Sequence, residues 1–437
     1  KITRENGDFI YKHNFYYKLL PFFTRNPERA KFKLGFTPVV GAIGRICESY
    51  AVKNTLDENS SPVELDGITA ELQTTTVQPA VVARLFSKTA INQLQVPKLI
   101  RYAPLSKGKE QVGEIAIAQF LTQLFQLTEN ETWLNFLDSF VPKNPYEVLI
   151  FDHLRALTPE NSAPQRFYFV DHAELQSYFN HDLKNITANP GFFMSHIEYF
   201  FAFYYFAYVI KAIATIGRSA KDATHFHAYY ALADEHLSQS RRAASSFRSL
   251  HKSARYLLVD NDVLDYLNVL LGHEEDYLFL QDIYALSPNE QVELDRLLLV
   301  FMRDYQTRKN HPVTYEEAGD LAQHIEQLRK ILIQDEADEP MSRFTKSFEE
   351  IGDLFFTKSR GRIGKTFSLD DELLLVLVAV IVGDHKMLLK QVIQELNNRN
   401  IYLDIASQNL LAAKLDEKNL LEKMSDSGDA QYVKPIL

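Results

Sequence analysis

Two strings in this sequence hold residue types that do chemistry. The first is Ser359-Arg-Gly-Arg-Ile-Gly-Lys365-Thr366, whose Gly-Lys-Thr tail matches that of a phosphate-binding loop. Such a loop needs glycine at its first position, so that backbone amides can curl round phosphate, and a buried strand of Val and Ile before it. Ser359 holds the first position and no such strand precedes it, so the string reads as a solvated basic linker. Lys358, Arg360, Arg362 and Lys365 are still the densest cationic run leading into the C-terminal region. A flexible basic arm of this kind can touch phosphates. The second string brings His225, His227 and His236 together with Asp234 and Glu235, the donor types of a zinc site. Alternation would set His225 and His227 on one side of a strand, but no HExxH spacing or cysteine partner supports them. These histidines therefore stand only as a weaker alternative, a metal-dependent hydrolase, and no cofactor is expected.

A third stretch, Arg241, Arg242, Arg248, His251, Lys252 and Arg255, is basic within an acidic chain and reads as a salt-bridged helix face, with phosphate contact as the alternative. No Gly-x-Ser-x-Gly, no Cys and His pair and no framed pair of carboxylates is present. The expectation is a protein that is not itself an enzyme.

These residues need a scaffold, and composition bounds it. A chain of 437 residues that is 46% hydrophobic can build packed cores for two or three domains. Its formal charge of -10 argues against a nucleic-acid coat over the whole surface, so any DNA contact must be local. The single cysteine, Cys47, fits a reducing compartment, and the cytoplasm is expected. Tyr199 to Ile210 is strongly apolar but shorter than the roughly 20 residues that span hydrocarbon. It reads as a buried helix, and no membrane partner is expected.

The fold class expected is mainly α: a multi-helical body with a mixed N-terminal region and a C-terminal winged-helix-like domain. The boundaries are a mixed, helix-rich domain over 1–155, a helical domain over 156–340, a connecting helix over 341–357 and the terminal domain over 358–437. Spacing predicts a helix over Glu114 to Leu127, and Arg166 to Val170 is the best single strand candidate. Ser287-Pro-Asn-Glu290 and Thr314-Tyr-Glu-Glu317 read as capping boxes that start helices, and Asp335 to Pro340 as a linker or a solvated turn. Ser368 is expected to cap a helix running to Gly383, followed by helices from Asp384 to Arg399 and Asp404 to Lys418. A strand, a turn around Ser427-Gly-Asp429 and a second strand then complete the winged-helix order. In that module the third helix enters the major groove and the wing meets the backbone, which nominates Ser407, Gln408, Lys414, Lys423 and Lys434 for DNA contact. The eleven basic and eleven acidic residues from Lys358 to Leu437 also suit a protein-docking module.

Lys358-Ser-Arg-Gly-Arg-Ile-Gly-Lys365, the Leu-rich helix after it, Asn419-Leu-Leu-Glu-Lys423 and the segment from Ser425 to Leu437 resemble the end of DptG proteins. The aromatic helix and the segment from Tyr229 to Leu250 are similar to the middle of that family, although the stretch at Ala233 lacks the family's tryptophan. The resemblance implies an accessory subunit acting with two partners, DptF and DptH, to restrict DNA that lacks phosphorothioate in its backbone. The nuclease or ATP-driven activity would belong to the partners. The function expected is thus a non-catalytic scaffold that contacts double-stranded DNA in an anti-phage restriction complex, or else a docking adaptor without DNA contact.

Overall fold

The computed structural model describes residues 2–5, 8–11, 19–21, 30–53, 61–72, 79–92, 94–160, 165–217, 226–232, 241–273, 276–309, 316–335, 338–423 and 431–437. Over these the chain is mainly helical. A small antiparallel hairpin, β1 (Ile2–Glu5) and β2 (Asp8–Tyr11), comes first. Helices α1 (Thr37–Cys47), α2 (Leu65–Leu72), α3 (Pro79–Leu85), α4 (Lys88–Asn92), α5 (Glu110–Leu124), α6 (Glu131–Asp138) and α7 (Pro145–Asp152) follow. The middle of the chain holds α8 (Ala173–Thr187), α9 (Pro190–Thr215), strand β3 (Ala231–Leu232), α10 (Arg241–Ala254), α11 (Leu257–Leu271), α12 (Leu280–Tyr284), α13 (Pro288–Lys309), α14 (Leu321–Asp335) and α15 (Asp338–Phe355). The last part runs β4 (Thr357–Ser359), β5 (Lys365–Leu369), α16 (Asp371–Val382), β6 (Met387–Leu388), α17 (Leu389–Asn398), α18 (Ile405–Glu417), β7 (Leu421–Lys423) and β8 (Gln431–Val433).

Helix α9 is the axis of the core. Asn189 caps it by accepting from the Phe192 amide, and Pro190 sits in the first turn, where its missing N–H costs nothing. Residues Phe200 to Phe206 are all buried, so this helix is apolar on every side, and it touches α1, α8, α10, α15 and α16. Among the described residues it is the one helix long and apolar enough to cross a membrane, and 78% of its apolar window lies buried inside the protein. Its aromatic rings meet edge to face: Tyr204 packs on Phe125 and Phe179, and Phe120 on Tyr208. The helix also completes α1, whose cap residue Phe36 has no side chain able to accept. Glu198 supplies the acceptor, taking the amides of Phe36 at 2.8 Å and Thr37 at 3.2 Å.

The main hydrophobic cluster runs from Leu19 to Val433 and crosses all the expected boundaries, at 155, 340 and 357. A satellite core of Val63, Ile68, Val82, Phe86, Ile91 and Ile150 lies under the N-terminal loops. Among the described residues, the extended segment 166–170 pairs with no strand. Gln123 and the Tyr208 hydroxyl satisfy its backbone instead, at Phe167 N and Val170 N, because the segment lies across helices rather than beside a strand. Helix α13 starts at the Ser287–Glu290 capping box as its sequence predicts. For α14 the box is six residues later, with Asp320 and Gln323 exchanging hydrogen bonds between their amides and side chains; Thr314 and Tyr315 lie outside the described residues. Of the acidic tract read as a linker or a solvated turn, Asp335 ends α14 and 338–340 begin α15, while 336–337 lie outside the described residues.

The string from Lys358 to Thr366 is a β-hairpin, not a linker. Strand β5 pairs antiparallel with β4 and parallel with β3, in the order β3-β5-β4, and α10 packs against β5. Ser368 is therefore a buried strand residue, and Asp370 is the cap of α16, accepting from the Leu373 amide at 2.7 Å. The apolar helix α16 lies against α8 and α9. After it the short strand β6 precedes α17, Asp404 caps α18, and β6, β8 and β7 form a three-stranded antiparallel sheet in that order.

Candidate interaction surfaces

The nine residues nominated for DNA contact do not form one surface. Ser407 is buried, and both its amide and its hydroxyl donate to Asp404, so it belongs to the cap of α18. Gln408 turns back to donate to the Leu403 carbonyl. Lys414 is buried, and its ammonium reaches Asp371 in the first turn of α16 at 2.9 Å. Arg360 is buried and donates to the Leu232 carbonyl at 2.8 Å, pinning the turn of the β4–β5 hairpin to β3. Ser407, Lys414 and Arg360 are thus internal ties, a correction to their expected place at the surface. The cause is helix phase: positions 407, 411 and 414 of α18 share its inner face. Its outward stripe is instead Ile405, 78% exposed, with Asn409, Ala413 and Asp416, and it carries no cation.

The other nominees stay near solvent. Lys358 and Arg362 are exposed on the hairpin, while Lys365 is paired with Asp353 at 2.8 Å. Lys423 is exposed and paired with Asp416 at 2.7 Å, and Lys434 is half-buried beside Glu422 and follows β8. The turn joining β7 to β8 lies outside the described residues. The Gly-Lys-Thr string sits at the end of a tight hairpin turn and enters β5, so no helix follows it to point amides at phosphate.

Of the metal alternative, His225 and His236 lie outside the described residues, and His227 stacks on Tyr402 with ring centroids 4.1 Å apart. Among the described residues no group of three or more His, Cys, Asp or Glu is placed to hold a metal ion. Cys47 is partly exposed by side-chain area but held in an apolar setting, and burial pushes its thiol up to about 12. That is the opposite of what a nucleophile needs.

An open cavity of about 620 Å³ lies between α11, α12 and α14. Its charged floor is Asp260 and Arg329, paired at 2.6 Å, with the guanidinium over the Tyr256 ring. Gly217 adopts a left-handed φ of 78° directly against the Asp260 carboxylate, where a Cβ would clash at 2.3 Å. The described lining holds no Ser, Thr, Cys or His, and the paired floor offers structure rather than a reactive group.

The structure gathers its cations on α10. Ala243, Ala244, Ser246, Phe247, Leu250 and Ala254 face inward, where Phe247 stacks on Phe348 and meets Phe367 edge to face. Opposite them Arg241, Ser245, Arg248, Lys252 and Arg255 are exposed, with Arg242 beside them lying over the Tyr229 ring. The expected salt-bridged face is not what forms: Arg241, Arg248 and Lys252 have no ion-pair partner among the described residues. Only His251, at the flank of the stripe, meets a carboxylate, Glu349 at 2.7 Å. Spacing at 241, 248, 252 and 255 could have shown this stripe in advance, since multiples of about 3.6 bring those positions to one face.

Compared with known proteins, the chain matches no family model and no curated protein.

Proposed function

We propose that this chain is a non-catalytic scaffold subunit of a DNA-restriction complex of the anti-phage kind, working in the cytoplasm with DptF-like and DptH-like subunits. Its C-terminal part is a winged helix that docks a protein partner. What supports the module is the order α16, β6, α17, α18, β7, β8 with its sheet order β6-β8-β7, which is the winged-helix connection. What favours protein over DNA at its third helix is the outward stripe Ile405, Asn409, Ala413 and Asp416. A major-groove reader needs donors for base edges and cations for phosphates, and this stripe offers an exposed isoleucine and a carboxylate. The resemblance to DptG supplies the identity of the complex and of the partners.

The test is capture of DptF-like and DptH-like subunits by the full chain and by Ile405→Glu. A charged residue at the centre of an apolar contact is expected to weaken capture of one of them about tenfold or more, with the melting temperature unchanged. Equal capture by the variant would remove α18 as the docking face.

A second reading, DNA contact at the edge of this module, is favoured by one observation: Lys358 and Arg362 are both exposed on the β4–β5 hairpin. Loss of duplex binding in Lys358→Gln/Arg362→Gln would support it.

A further inference from the structure

We infer that the outer face of α10 is a docking surface for the phosphate backbone of duplex DNA. This rests on the charge and exposure of one helix and holds whether or not the C-terminal module is a winged helix. Residues 241–255 carry five Arg or Lys and no Asp or Glu, in a chain whose formal charge is -10. Four of those cations, Arg241, Arg248, Lys252 and Arg255, fall on one exposed face at i, i+7, i+11 and i+14. The stripe is about 21 Å long at the helical rise of 1.5 Å per residue. Duplex DNA presents about one phosphate charge per 1.7 Å of its axis, so a stripe of this length meets several phosphates at once.

The rest of the face selects among polyanions. Ser245 and Ser249 are exposed between the cations, and hydroxyls of this kind donate to phosphate oxygens alongside Arg and Lys. The stripe exposes no apolar anchor, which a protein partner would need at the centre of its contact. It also lacks the run of exposed aromatic rings on which single-stranded bases stack; Tyr229 is half-buried and its ring is covered by Arg242. Acidic groups on the neighbouring helix α15 are already engaged, Glu349 with His251 and Asp353 with Thr357 and Lys365. The inner face of α10 is fixed on β5 and α15, so the cations are held on a rigid element.

The experiment is fluorescence anisotropy of the full chain with a labelled duplex of about 20 base pairs over a salt series. Four phosphate contacts predict that affinity falls about 150-fold between about 50 and 200 mM salt. The variant Arg241→Gln/Arg248→Gln/Lys252→Gln leaves one, so its affinity is expected to fall only about threefold over the same range, from a weaker start. These side chains are exposed, and circular dichroism with a melting curve verifies that the variant is folded. The inference is overturned if the parent chain does not bind duplex at the low-salt end, or if the triple variant binds with an unchanged salt slope. It is also overturned if poly-glutamate of equal total charge displaces the duplex as well as unlabelled duplex does, which would make the face a site for acidic protein. Lys358→Gln/Arg362→Gln separates the two DNA readings: the α10 assignment requires that variant to keep the parent's salt slope.

Discussion

Arg399 and Asp182 stand 217 positions apart in the chain and meet as a buried two-pronged ion pair, Nε to Oδ2 at 2.8 Å and Nη2 to Oδ1 at 2.6 Å. Tyr204 donates its hydroxyl to the same carboxylate at 2.5 Å, and the guanidinium also binds Glu395 and lies over Tyr178. The pair joins α8 and α9 of the body to the end of α17, so it ties the terminal module to the rest of the protein. Replacing Arg399 with Met would strand a buried carboxylate, and a loss of about 3–5 kcal/mol is expected in denaturant unfolding. The double variant Arg399→Met/Asp182→Leu should recover much of that loss, because the uncompensated charge is gone. A single variant as stable as the parent would show that the tie contributes nothing.

The same pair predicts how stability depends on pH. Burial alone would push the Asp182 carboxyl up, but hydrogen bonds from His181 and Arg399 and the Arg399 charge outweigh it, and the group sits below its ordinary value. A carboxyl whose folded value is depressed contributes stability above its unfolded value, and that contribution is lost as pH falls through the folded value. His181 shifts the other way, raised by its hydrogen bond to Asp182 against the effect of burial. Its contribution is full below the unfolded histidine value and fades as pH rises through the raised one. Unfolding midpoints are therefore expected to fall below about pH 4 in the parent, with a shallower acid limb in Arg399→Met/Asp182→Leu. Identical acid limbs would mean that other carboxyls control this range.

Much of this was legible in the sequence where the signal is local. The Ser287–Glu290 box and the start of α18 at Asp404 lie within a few residues of the elements they set, and both appear as read, whereas the cap of α16 is Asp370 and not Ser368. What the chain did not disclose is pairing between distant segments. Nothing near Lys365 to Leu369 indicates that Ala231 and Leu232 run parallel beside it, so a strand built into a sheet reads as a linker. The same blindness affects α18: Ser-Gln-Asn-Leu-Leu-Ala-Ala-Lys mixes small and polar residues on all sides, and only packing against α16 decides that Lys414 points inward. For α10 the residues alone gave the face, but not whether carboxylates would neutralise it.

Cys47 offers a test of the core around α1. With its thiol pushed up by burial to about 12, it should react with a thiol reagent at pH 8 far more slowly than a free thiol. Labelling is expected to be slow in the native chain and complete within the mixing time in denaturant. Fast native labelling would contradict the packing of α1 against α5.

Two lysines that sequence places on one DNA-contacting module have different fates. Lys414 is buried and reaches Asp371, so Lys414→Gln should cost about 1–2 kcal/mol of stability through the loss of a charged hydrogen bond. Lys423 pairs with Asp416 in the open, and Lys423→Gln should stay within about 0.5 kcal/mol of the parent. If Lys414 is an internal tie, its variant binds duplex with the parent's affinity once the folded fraction is accounted for, although its denaturant midpoint is lower. A loss of affinity in fully folded Lys414→Gln would instead require α18 to roll its inner face outward on binding. That motion would have to break the contact with Asp371 and expose Leu411 and Leu415, two buried leucines worth about 3–6 kcal/mol together. A contact supplying only one more phosphate could not offset such a cost, which is why the stability effect is expected without the binding effect.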